Sequence, residues 1–288
     1  MTTSQRDAAA GWLSAGRFAG LTSGGRAEAS ERLARIADEV LIGARLSTGA
    51  RVVDVGAGTG LLTERALALV GSGGVVTAVD QSAGALAQIR APDGGGVLHR
   101  VVADVTAMPL DDGVADAAVA RSVLIYVDDL VAVLAEIGRV LRPGGRFSVF
   151  EPVNSRRVHD AWLPGLSDTE LAAIGQALAA ATASAATMTR FSETALREAA
   201  DTAGFGVITV HRAAVHQTLT GREAVTAHLD RSSYPGAPPA LAVVADALGA
   251  DLAARYAAAW RHAADTQGTI TYTTPTVFLT AVAPDRPM

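Results

Sequence analysis

Three glycines stand one residue apart in Val53-Asp54-Val55-Gly56-Ala57-Gly58-Thr59-Gly60, directly after a β-branched run and directly before an apolar, helix-forming one. A backbone without Cβ atoms can bend sharply there and let a ligand lie against its peptide atoms. The N–H groups that open the following helix favour an anion such as a carboxylate. Asp54, at the strand tip, is placed to receive an amino group of the same ligand, directly or through water, or simply to cap the turn. Gly56, Ala57, Gly58, Thr59 and Gly60 therefore form a candidate cradle. A dinucleotide fingerprint would need G-x-G-x-x-G, and its last position is Leu61, so glycine falls one residue early.

Two more acids follow at matching places. Asp80 ends the next β-branched run, where a carboxylate can accept both ribose hydroxyls, and Gln81 with Ser82 stand where an adenine edge would begin. Asp104 ends a third run; its carboxylate can take the adenine amino hydrogens while the Val105 N–H reaches a ring nitrogen. Taken one at a time, each acid reads equally well as a solvated or helix-capping carboxylate. Arg121 and Ser122 follow a fourth run, on the rim where a cofactor and an acceptor would meet, and Tyr126 lies just beyond, as a contact or as a packing tyrosine. Glu151, Asn154, Arg156 and His159 cluster after a fifth run and read as acceptor contacts or as an ordinary polar loop. If the chemistry needs a base, His159, His211 and His216 are the histidines available, with Tyr126 beside them. The histidine spacings make no helical metal pair and no second carboxylate lies nearby in sequence, so no metal is expected.

Strand tips of a parallel sheet would bring these residues together. The pattern predicts strands over 51–55, 75–79, 97–102, 116–120 and 147–150, with helices from Leu61 to Gly71, over 83–90, and over 130–141 before Arg142-Pro-Gly-Gly145. A leading helix over 26–46 carries Leu33, Ile36, Val40 and Leu41 at helical spacing. Beyond Glu151 the rhythm changes. Ser167-Asp-Thr-Glu170 is a capping box before an alanine-rich helix, Ser192 to Ala203 is a helix stopped by Gly204, and 205–211 and 269–282 are two last strands. Between them lies a helical insertion over about 221–264, punctuated by Tyr234 to Pro239. The expected organisation is a helical lid segment over 1–50, a cofactor-binding core over 51–151, and a remainder over 152–288 carrying the cap. Trp12 and Phe18 suit a lid. Tyr256 and Trp260, four apart, suit an apolar pocket or plain core packing.

Val52 to Gly60, Val79-Asp-Gln-Ser82, Ala103-Asp-Val-Thr-Ala-Met-Pro-Leu110 and Leu141-Arg-Pro-Gly-Gly145 together make the chain resemble the class I methyltransferases, in particular the group with ubiquinone and menaquinone C-methylases. The resemblance covers about half the chain and is specific for the cofactor, not for the acceptor. It implies S-adenosyl-L-methionine held by the residues named above, and backbone contact at Arg121 and Ser122. It also implies a Rossmann-like, doubly wound α/β sheet of seven mostly parallel strands, the last antiparallel, with a helical cap.

Composition bounds the rest. There is no cysteine, which excludes disulfides, thiolate zinc sites, cysteine nucleophiles and cysteine-held iron–sulfur clusters. The net charge is -5 and all 24 basic residues are arginine, so no nucleic-acid-binding face is expected. Lysine-free, alanine-rich composition is that of a GC-rich bacterial genome. Met1 to Ala10 lacks a leader pattern and no stretch approaches the roughly 18 apolar residues of a span, which leads to the expectation of a cytoplasmic protein without a membrane partner, with a homodimer as one option. The expected activity is methyl transfer to a small-molecule acceptor with an O, N or C nucleophile, in secondary or quinone-type metabolism. The alternatives are the same fold reused for a non-methylating reaction such as cyclisation, and a non-catalytic cofactor-binding protein.

Overall fold

The computed structural model describes residues 23–181, 190–232 and 237–284. Trp12, Phe18 and, from the Tyr234–Pro239 punctuation, Tyr234 to Gly236 lie outside them. Residue contacts divide the chain into two compact units: a core unit of residues 31–155, 190–213 and 275–288, and a helical unit of residues 1–30, 156–189 and 214–274.

In the core unit β1 (Arg51–Val55), β2 (Val75–Asp80), β3 (Val97–Val102), β4 (Ala115–Arg121) and β5 (Leu141–Pro152) run parallel in the order β3-β2-β1-β4-β5. The valine- and alanine-rich strands β1 and β4 are buried almost throughout, as befits a sheet covered on both faces. β8 (Thr269–Val282) lies antiparallel on β5, from Arg146 opposite Val282 to Pro152 opposite Thr276, and β7 (Gly206–Thr220) pairs with β8. Register places Val55 beside both Val79 and Ala120. The carboxyl ends of β1, β2 and β4 are thus aligned, where an open α/β sheet collects its ligands.

Eight strands are present among the described residues where seven were expected. The added one is β6 (Val158–His159), two residues pairing with Thr273 and Tyr272 in the helical unit. Other boundaries moved for local reasons. β7 continues past His211 to Thr220 because Ala213, Val215, Gln217 and Leu219 keep a period of two in burial. β5 starts at Leu141, its Pro-Gly-Gly segment taken up as an irregularity that shifts register against β4.

The leading helix is α1 (Ser23–Ala44). α2 (Leu61–Val70) ends at Gly71, whose φ of 64° lets its N–H return to the Leu67 carbonyl. α3 (Ala83–Leu86) is a single turn, because the Arg100 guanidinium takes the Leu86 and Ile89 carbonyls that a longer helix would use. α4 (Leu130–Val140) is capped by Asp129 and buries Val133, Leu134, Ile137 and Val140 at helical spacing. The capping box at Ser167 and Glu170 opens α5 (Asp168–Ala181) with both reciprocal hydrogen bonds, and Ser192 caps α6 (Glu193–Thr202). The helical unit adds α7 (Gly221–Asp230), α8 (Ala240–Leu248) and α9 (Ala250–Gln267), packed around Ile174, Val225, Leu229, Val244 and Trp260. No described helix is long and apolar enough to cross a membrane.

Candidate functional site

The glycine bend joins β1 to α2 with Gly56, Gly58 and Gly60 at φ of 69°, 55° and 92°, a left-handed run that only glycine makes without strain. Its shape is set from outside as well. Ala57 N–H donates to the Val79 carbonyl (2.9 Å), and Gly58 N–H donates to Asp80 Oδ2 (2.8 Å). The other oxygen of Asp80 accepts the Ser82 N–H (2.8 Å). One carboxylate thereby ties the bend to the end of β2, and each oxygen keeps acceptor capacity for a further donor. Gly60 caps α2 with no side-chain hydrogen bond of its own, and Asp54 takes a backbone hydrogen bond from Thr63 in the first turn.

The glycines divide their work. A Cβ on Gly56 would stand 2.4 Å from Val123 Cγ2, and one on Gly60 would stand 2.8 Å from Ile89. Those two hollows are filled by the protein itself, Val123 at Gly56 and Ile89 at Gly60.

Asp54 lies beneath the bend, 1% exposed, and accepts from the Thr63 hydroxyl (2.5 Å) in the first turn of α2. Burial lifts its carboxyl to about 7, against the pull of Thr63. Asp54 is a buried fastening for the α2 start. Ser82 is likewise buried as the cap of α3, its Oγ accepting from Ala85 N–H. Gln81 donates from Nε2 to Asp104 Oδ2 (2.7 Å), joining the ends of β2 and β3, and the other Asp104 oxygen accepts from the Thr106 N–H and hydroxyl. Val105 is buried beside it.

Arg121 ends β4. Burial works against its charge, while Glu151, Tyr126 and Asp54 favour it. Ser122 follows at φ 54°, an unusual angle for a residue with a Cβ, held by its N–H on the Phe150 carbonyl (2.9 Å). Tyr126 closes a short 3-10 turn and is about half exposed. Glu151, fully buried on β5, accepts the Val123 and Leu124 N–H groups (2.8 Å each) through Oε1 and therefore holds that turn rather than facing an acceptor.

Asn154 belongs to the core unit, whereas Arg156 and His159 belong to the helical unit. His159 keeps one side at the surface while its ring packs edge-on against Trp260 (5.5 Å) and beside Tyr272 (5.6 Å) and His228 (6.3 Å). Burial first, then the Arg157 guanidinium, hold it below the ordinary imidazole value. His228 is pushed down to about 3 by burial and by Arg231, His159 and Arg157, and its Nδ1 is buried without a partner. Arg157 stands over the Tyr272 ring at 5.6 Å and donates to Thr274 Oγ1. Tyr256 and Trp260 are both in the helical core. His216 is exposed and bonded to Thr273 Oγ1 (3.0 Å), and His211, in the core unit, is bonded to Glu39 (2.9 Å).

His228 and Tyr272 escaped sequence reasoning because their neighbour His159 lies 69 and 113 residues away; no local pattern carries that meeting. Thr63 was legible in principle, as a hydroxyl in the first turn after the bend.

The family model described as "Methyltransferase domain" matches residues 53–149. This segment is therefore similar to methyltransferase domains. A demethylmenaquinone methyltransferase of Mycolicibacterium vanbaalenii is 41% identical over 107 residues, 37% of this chain and 44% of the relative. A malonyl-[acyl-carrier protein] O-methyltransferase of Serratia marcescens is 33% identical over 145 residues, 48% of this chain and 53% of that one. The chain thus spans about half the length of these relatives or less. A candidate methyltransferase from Bacillus halodurans, 15% identical, superposes with a TM-score of 0.53 over 86% of this chain and 98% of its own, a likeness of fold.

Proposed function

We propose that this chain is an enzyme that transfers the methyl group of S-adenosyl-L-methionine to a nucleophilic O, N or C atom of a small-molecule acceptor. The observation that carries the reading is the bend from Gly56 to Gly60, left-handed at each glycine and fastened to Asp80 through the Gly58 N–H. The donor set suits the cofactor. The N–H groups at the start of α2 would take its carboxylate, and Asp80 would accept from its ribose hydroxyls. Gln81, Asp104 and the Val105 N–H would receive its adenine edge, with Arg121 and Ser122 on the rim. Asp54 would keep the bend in shape from below.

The bound cofactor would supply an activated methyl group on sulfur; as the acceptor–methyl bond forms, the sulfur–carbon bond breaks. The protein's share is alignment and exclusion of water, and alignment alone can be worth roughly 7–11 kcal/mol. An O–H or N–H acceptor also loses a proton. His159 suits that task best, because its surroundings keep the imidazole neutral and able to accept; His216 and Tyr126 remain the other candidates. Within the helical unit, His159, His228, Trp260 and Tyr272 place aromatic faces beside the Arg157 charge.

Incubation with methyl-labelled S-adenosylmethionine and a panel of quinol, phenol, amine and acyl-thioester acceptors tests the reading. Label in a product, with demethylated cofactor in equal amount, is the expected result. A product formed without label would overturn methyl transfer in favour of a reused fold.

A further inference from the structure

Glu151 sits near the end of β5, fully buried, with one oxygen accepting two backbone N–H groups and the other, Oε2, buried with no hydrogen-bond partner among the described residues. The two N–H groups belong to Val123 and Leu124, which start the turn after β4. Val123 is also the residue whose methyls fill the hollow of Gly56, at 2.4 and 2.6 Å from where a Cβ would lie. A chain of contacts therefore runs from Glu151 through the Val123 backbone to the Val123 side chain and on to the first glycine of the bend. All of it lies within the core unit.

We infer that Glu151 is a positioning residue for the cofactor: by holding Val123 in the hollow of Gly56 it fixes the bend between Gly56 and Gly60. This rests on the reading of that bend as the cofactor cradle. A carboxylate is a stronger acceptor for two N–H groups than a neutral side chain, so the hold depends on the charge of Glu151. Burial lifts its carboxyl to about 7, with Arg121 as the charged group facing it from β4 and the uncharged Val277 opposite it on β8. Arg121 in turn feels Asp54 from β1 and Tyr126 from the turn. The hold is accordingly firmer on the alkaline side of neutrality.

Isothermal titration of the whole protein with S-adenosylhomocysteine at pH 6, 7 and 8, alongside thermal melting to establish folding, tests this. For the unaltered protein relative to Glu151→Gln, the ratio of affinities should grow about threefold to tenfold from pH 6 to pH 8, because only the former gains a charge-assisted acceptor. Glu151→Leu should bind at least about tenfold more weakly at every pH, the turn having lost both hydrogen bonds. Val123→Ala keeps those hydrogen bonds and removes only the plug, and should weaken binding about fivefold. A constant ratio between the unaltered protein and Glu151→Gln, or unaltered affinity in Val123→Ala, overturns the inference while leaving the cradle in place. Failure of the unaltered protein to bind removes the cradle itself and the inference with it.

Discussion

The core unit and the helical unit treat their polar groups in opposite ways. In the core unit, Asp54, Asp80, Ser82, Asp104 and Glu151 each hold a backbone N–H or a neighbouring hydroxyl, so the acids at the strand tips act first as fasteners of loops. In the helical unit, His159 and His228 are packed among Trp260 and Tyr272, and His228 Nδ1 is buried with no hydrogen-bond partner among the described residues. A loop fastened by acids on backbone N–H groups is a rigid receptor for a ligand of fixed shape. Neutral histidines among aromatic rings instead offer apolar faces and a hydrogen-bonding edge that suit a variable acceptor. On this account, lesions in the first region should damage cofactor affinity and lesions in the second should damage turnover.

The largest break should come from Gly58→Val. The position needs φ near 55°, where a β-branched side chain is strained, and its N–H is the one fastened to Asp80. Cofactor affinity should fall by at least about a hundredfold, on the order of 3 kcal/mol, while circular dichroism keeps the α/β signature. In the second region, His159→Ala should lower kcat/KM roughly 10²–10⁴-fold for an acceptor that must lose a proton, with cofactor affinity unchanged by calorimetry. The acid limb of the unaltered enzyme's pH profile should lie below the ordinary imidazole range, as the lowered pKa of His159 requires, and disappear in the variant.

Asp80→Ala should weaken cofactor binding by about 1–3 kcal/mol, the cost of leaving hydroxyl and amide donors unpaired. Asp104→Ala should cost less, since Asp104 is exposed. The smallest effect is on stability. Asp54 and Glu151 are both lifted to about 7, so between about pH 4 and 7 the folded chain holds more protons than the unfolded one, and stability falls as pH rises through that window. The melting temperature should be higher at pH 5 than at pH 8, and Asp54→Asn with Glu151→Gln should flatten the slope.

Much of the core unit was legible because its signals are local. The bounds of β1, β3 and β8 follow from β-branched runs cut by glycine or polar residues, and the acids at the tips of β1 to β3 are visible as soon as those runs are aligned. The glycine cluster revealed a bend but not its tenants: that Val123 occupies the hollow of Gly56 and Ile89 that of Gly60 depends on residues 67 and 29 positions away. Arg100 cutting α3 short is another tertiary choice that propensity cannot carry, since alanine and leucine alone favour a longer helix. The helical unit was legible as amphipathic helices and little more. His159 meets Tyr272 only because a two-residue strand pairs with β8, and two residues are too few to show a period.

Whether the bend from Gly56 to Gly60 holds an adenosyl amino acid is settled most directly by calorimetric titration with S-adenosylmethionine and, separately, with a nicotinamide dinucleotide. The account predicts saturable one-site binding of the first, lost in Gly58→Val and weakened in Asp80→Ala, and no binding of the second. Dinucleotide binding that Gly58→Val abolishes, or S-adenosylmethionine binding that neither substitution alters, would contradict it.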